Sequence, residues 1–87
     1  MQNAYFVEVT DTYGGESNYA WVHRFKVSAT TERGAMRKIA NRFGYGSISK
    51  DYDTGDMQRW AWKNACICAF IERYEDQAHH LRAVESI

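Results

Sequence analysis

Cys66, Cys68, His79 and His80 are the side chains of this chain that first suggest a metal. Thiolates and imidazoles are the donors of tetrahedral zinc, but structural sites pair them two to four residues apart on turns. Here the cysteines flank a single residue, within a run, Ala65-Cys-Ile-Cys-Ala-Phe-Ile71, that alternates as a strand does. We expect two small buried hydrophobes and a solvated imidazole pair, with no metal and no cofactor. Asp51-Tyr-Asp53-Thr-Gly-Asp56 has the oxygen density of a calcium loop. Such a loop needs glycine at its sixth position and a bidentate glutamate at its twelfth. This segment puts Gly55 at the fifth and Trp62 at the twelfth, so its carboxylates read as acceptors within a turn. Nucleophilic catalysis needs a base within reach of a hydroxyl or thiol. His23 could serve Ser17 or a cysteine, but it lies in an aromatic stretch where a hydrogen-bonded structural imidazole is expected. No glycine-rich loop runs into Lys-Ser or Lys-Thr, so no phosphate cradle is indicated. The chain reads as a non-enzyme.

Two other constellations suggest binding. In Tyr19-Ala-Trp-Val-His-Arg-Phe-Lys-Val27 and Arg59-Trp-Ala-Trp62, large aromatics recur at every second residue. On a strand they would share one face. Trp21, Trp60 and Trp62, flanked by Arg24, Lys26, Arg59 and Lys63, are the residue types that stack and neutralise single-stranded nucleic acid. The competing reading makes these indoles core and the cations solvated strand edges. Zero formal net charge, from 11 basic and 11 acidic residues, and the missing RNP-type pattern favour the second. The other constellation is the basic face Arg33, Arg37, Lys38 and Arg42, with Tyr45 beside it. Arginine and aromatic side chains anchor protein interfaces.

The elements that position these residues follow from periodicity. Tyr5, Val7 and Val9 alternate with Phe6, Glu8 and Thr10, which predicts a first strand over 4–10. Asp11-Thr-Tyr-Gly-Gly-Glu-Ser-Asn18 is dense in turn formers and predicts a long-looped hairpin into the second strand. Thr30 or Thr31 can cap a helix in which Ala35, Met36, Ile39, Ala40 and Phe43 form one apolar face and Gly44 is the stop. Gly34 permits a close approach to a sheet. Residues 45–56 are rich in Gly, Ser and Asp and read as a loop. Strands over 57–63 and 65–74 follow, turning near Lys63-Asn64, and 75–85 is expected to form a short helix.

The fold class is therefore α+β, ββαββ with a further C-terminal α. It predicts a four-stranded antiparallel sheet covered on one face by one helix. Strand two carries apolar bulk on both sides, so a terminal helix, a second copy in a homodimer, or a partner protein must cover the other face. Eighty-seven residues make one domain, 1–87, with three Trp, six Tyr and four Phe supplying the core bulk. Residues 30–50 carry Arg33, Arg37, Lys38, Arg42 and Lys50 against Glu32, whereas 51–87 are net acidic, which gives the molecule a modest dipole. Met1-Gln-Asn-Ala opens no signal peptide, no run reaches membrane-span length, and the thiols suit a reducing cytoplasm.

The segments Asp11-Thr-Tyr-Gly-Gly-Glu-Ser-Asn-Tyr19 and Ala65-Cys-Ile-Cys-Ala-Phe-Ile-Glu-Arg73 resemble those of small uncharacterised proteins of bacteriophages and prophages. In overall type, not in motif, the chain is similar to anti-CRISPR and other anti-defence proteins. That resemblance implies a small accessory protein in the host cytoplasm that inhibits a host protein or complex by occupying a surface. It carries no functional position across. The surface chosen from the residues themselves joins Tyr13 and Glu16, the bases Arg33, Arg37, Lys38 and Arg42, and Tyr45, Asp51, Tyr52, Asp53 and Asp56. The alternative is the nucleic-acid site Trp21, Arg24, Arg59, Trp60 and Trp62.

Overall fold

A computed structural model describes residues 2–12, 22–63, 65–75 and 85–87. One mixed six-stranded sheet carries a single helix among these residues. The elements are β1 (Asn3–Asp11), β2 (Val22–Ala29), α1 (Glu32–Phe43), β3 (Ile48–Asp53), β4 (Met57–Trp62), β5 (Ile67–Arg73) and β6 (Glu85–Ser86). Their order across the sheet is β3-β4-β5-β1-β2-β6. All neighbours are antiparallel except β6, which runs parallel to β2.

The alternation read from the sequence builds the core. Tyr5, Val7 and Val9 of β1 pair across the sheet with Val27, Phe25 and His23 on β2, and with Arg73, Ile71 and Ala69 on β5. Paired residues point to the same side. This side therefore presents Tyr5, Val7, Val9, Phe25, Val27, Ala69 and Ile71, all buried, to α1. The helix answers with Ala35, Met36 and Ile39, which are also buried, and with Phe43 partly buried against the same cluster. Thr31 caps it, its Oγ1 accepting from the Gly34 amide at 3.0 Å. Gly44 ends it with φ 73°, the left-handed conformation that glycine adopts without strain. A Cβ at Gly34 would lie 3.7 Å from that of Ala29, so the glycine is where helix and sheet come close.

Three expectations need correction. The sheet has six strands, not four, and is mixed rather than antiparallel. Residues 45–56 are not simply a loop, since β3 occupies half of that span with almost every side chain exposed. Its strand state comes from pairing with β4 rather than from an apolar pattern. Glu85, read as the end of a terminal helix, begins β6, which bonds to β2 through Ile87 N to Lys26 O and Ser28 N to Ile87 O, each 2.9 Å. The hairpin loop before residue 22, the turn at Asn64 and, of the helix expected over 75–85, residues 76–84 lie outside the described residues. Among the described residues, no helix is long and apolar enough to cross a membrane.

Candidate functional site

The helix bases separate onto two flanks of α1. Residues 33 and 37 are one helical turn apart, as are 38 and 42, and the two pairs are offset around the axis. Lys38 and Arg42 lie toward β2 and β6, where the Lys38 ammonium donates to the Ser28 carbonyl and Arg42 pairs with Glu85 at 3.1 Å. That contact, hydrogen bond first and charge second, raises the Arg42 pKa above its ordinary value. Arg33 and Arg37 lie on the other flank, above β3 and β4. The Arg33 guanidinium sits 5.7 Å from the Trp60 ring centroid, a cation–π contact. Arg37 is exposed, with no ion pair or hydrogen bond among the described residues.

Between this flank and β3 runs a groove. Toward the C-terminal half of α1 it holds about 210 Å³ lined by Arg33, Arg37, Ile48 and Trp60. Toward the helix N-terminus it continues for about 310 Å³, lined by Arg33, Lys50, Gln58 and Trp60. Glu32, the acid at this mouth, is turned inward: it accepts from the Tyr5 hydroxyl at 2.9 Å and from Gln58 Nε2 at 3.4 Å. Burial is the first cause that lifts the Tyr5 pKa, and Glu32 adds to it. Lys50 faces the groove because it pairs with Trp60, and its ammonium meets Asp53 at 3.0 Å.

The register slips between Lys50 and Tyr52, a bulge that gives β3 one residue more than β4. Asp51 and Tyr52 thereby come beside Arg59 on the sheet face away from α1. Asp51 takes Arg59 in a two-pronged pair at 3.0 and 3.1 Å, and this raises the Arg59 pKa. The Asp-rich segment works as a hairpin turn. Asp53 accepts from the Gly55 amide at 2.8 Å, and Thr54 and Met57 exchange bonds at its neck. The Gly55 amide first, and Lys50 second, lower the Asp53 pKa. Asp56 is exposed at the tip.

Of the residues chosen for protein binding, the structure brings together Arg33, Arg37, Tyr45, Asp51, Tyr52 and Asp53 around one sheet edge. Tyr45 and Tyr52 are its exposed large hydrophobics, at 51% and 52%. Tyr45 stacks on Phe43 at 6.4 Å. Lys38 and Arg42 are directed away from that edge, a correction to the single basic face expected. Tyr13 and Glu16 lie outside the described residues. The groove also uses Lys50, Gln58 and Ile48, which were not singled out. Strand alternation would have put Ile48 and Lys50 on one face, but nothing in their composition marked a strand.

Among the described residues the nucleic-acid constellation does not assemble. Trp60 and Trp62 face α1, each 4% exposed, whereas Arg24 and Arg59 point to the opposite face. Trp60 Nε1 donates to Gln58 at 2.9 Å, and Trp62 packs edge-on against Phe43, its own N–H having no partner among the described residues. Arg24 is committed to Glu8 at 2.9 Å, and Lys26 lies 4.4 Å over the Tyr74 ring. Trp21 lies outside the described residues.

His23 is exposed and lies against the rings of Phe25 and Phe43, within the aromatic face that the sequence placed it on. Cys68, buried, pairs with Thr10 and so belongs to the other sheet face, while Ser17 lies outside the described residues. Cys66 is exposed just before β5, a correction to two buried thiols. His79 and His80 also lie outside the described residues. No family model, curated protein or solved structure matches the chain.

Proposed function

We propose that this chain is a non-catalytic protein-binding module whose partner docks on the α1–β3 side. In biological terms it would be a phage-type accessory protein that occupies a surface of a host protein or complex, as an anti-CRISPR or other anti-defence inhibitor does. The observation that carries the binding reading is the juxtaposition of an uncommitted Arg37, an open β3 edge and two half-exposed tyrosines. Arginine and tyrosine are enriched at the anchoring centres of interfaces, where both give up water at modest entropic cost. The nucleic-acid alternative has less to support it, since a stacking platform needs an open ring face and Trp60 and Trp62 are buried.

A photo-crosslinking residue at Tyr45 or Tyr52, compared with one at Lys26 beside the opposite, β6 edge of the sheet, tests this in bacterial lysate. The expected result is a protein adduct from the first two positions, unchanged by nuclease and lost in Arg33→Glu/Arg37→Glu with the circular dichroism intact. Adducts that vanish with nuclease, or that form equally from Lys26, would sink it.

A further inference from the structure

We infer that β3 accepts an extended acidic peptide segment as an added strand, with carboxylates at alternate positions meeting Arg33 and Arg37. This rests on the protein-binding reading and specifies its partner. The edge has the hydrogen-bonding groups for it. Lys63 N donates to Ser47 O at 3.2 Å, so 47 and 63 are a bonded pair. In an antiparallel ladder bonded and non-bonded pairs alternate. Ser49 and Ala61 are therefore bonded, and Ile48 and Lys50 turn their own amide and carbonyl groups to the open side. β3 is the last strand on its side of the sheet, so those groups face no other strand among the described residues.

The same register puts the Ile48 and Lys50 side chains on the α1 face, opposite Trp62 and Trp60. A strand added about 4.8 Å farther out would set every second side chain on that face, along the Arg33–Arg37 flank. What those side chains would meet is cationic. Arg33 and Arg37 line the groove without a carboxylate partner among the described residues, whereas Lys50 is paired with Asp53 and Glu32 accepts from Tyr5 and Gln58. Charge complementarity therefore selects acids. The same cations oppose a second copy of this chain on that edge, because self-pairing would bring two such clusters together. A nucleic acid has no row of amides and carbonyls to match Ile48 and Lys50, and Arg33 already covers Trp60. The bulge at Asp51 ends the regular edge, so the added strand is short.

The test is a titration of isotopically labelled protein with peptides as long as β3, Glu at alternate positions and Val or Thr between. The expected result is slowed hydrogen exchange at the Ile48 and Lys50 amides. Affinity should fall at least about tenfold in Arg33→Glu/Arg37→Glu, stay near wild type in Arg37→Lys, and weaken with salt. Methylating alternate peptide amides should abolish binding to the unaltered protein, a check that needs no variant. The inference is overturned by no protection at about 1 mM peptide, where even a weak site is half filled. Equal binding of the Lys-for-Glu peptide, protection of the same amides by oligothymidylate, or peptide-free self-association through β3 would overturn it too. Arg37-dependent crosslinking in lysate without any peptide effect would leave the protein-binding reading standing and remove only the acidic strand.

Discussion

The two edges of this sheet are finished in opposite ways. On the β2 side, β6 supplies the missing strand, Ile87 packs partly buried against the core, and Arg42 meets Glu85 above the join. On the β3 side, among the described residues, no further strand follows, and the exposed flank of α1 carries Arg33 and an Arg37 with no ion pair. An exposed edge is a hazard that proteins manage with charge, bulges and short length. β3 has the first two, in the charges of Lys50 and Asp51 and in its register slip. These devices deter indiscriminate pairing without closing the groove beside them. The difference teaches that the covering of one edge is a structural matter, while the charge pattern at the other discriminates among partners.

Both edges depend on α1, so the largest effect should come from its buried ridge. Ile39→Ala should cost about 2–5 kcal/mol, the range for large-to-small core changes, read as a lower denaturant midpoint. An unchanged midpoint would mean that the helix does not hold the two edges together. Next comes the closed edge itself. Removing residues 85–87 deletes the β6 ladder to β2, the two Ile87 backbone bonds and the Ile87 packing contact, and should cost about 1–3 kcal/mol. If the deletion leaves hydrogen exchange at Lys26 and Ser28 unaltered, β6 does not seal that edge and the contrast fails.

The paired tryptophans next to β3 sharpen the comparison on a finer scale. Both are equally buried, but among the described residues Trp60 has a partner for its N–H and Trp62 has none. Trp60→Phe should therefore be worse than Trp62→Phe by about 1 kcal/mol, because it strands Gln58 while the second change removes a donor that was already unpaired. Equal melting temperatures for the two variants would contradict that ordering.

How much of this was legible in the sequence depended on apolar periodicity. β1, α1 with its Gly44 stop and a cap that the sequence leaves between Thr30 and Thr31, β4 and β5 each carry a buried stripe, and the pattern locates each within a few residues of its bounds. β3 carries none, since its state is imposed by β4 through backbone bonds that composition does not encode. β6 is two residues long and parallel, so neither alternation nor a turn announces it. The split of Arg33 and Arg37 from Lys38 and Arg42 was within reach, because helical spacing alone sets the pairs on different flanks. What spacing could not show was Glu85 and the Ser28 carbonyl waiting on one side, and an open edge on the other.

The smallest effect belongs to acid titration at the open edge. Asp53 holds the hairpin neck by accepting from the Gly55 amide and from Lys50, and these bonds exist for the carboxylate. Its pKa in the folded protein accordingly lies below the ordinary 3.8. A carboxyl lowered on folding adds stability above its unfolded pKa, and that part is lost as pH falls through the folded value. Between neutral pH and about 4 the contribution should be constant; below that it should drain away. Asp53→Asn should flatten this last part of the acid profile while leaving the Lys26 and Ser28 exchange rates alone, because the β6 edge shares no bond with that turn. A variant that loosened β6 as much as β3 would show the two edges to be coupled and would undo the contrast between them.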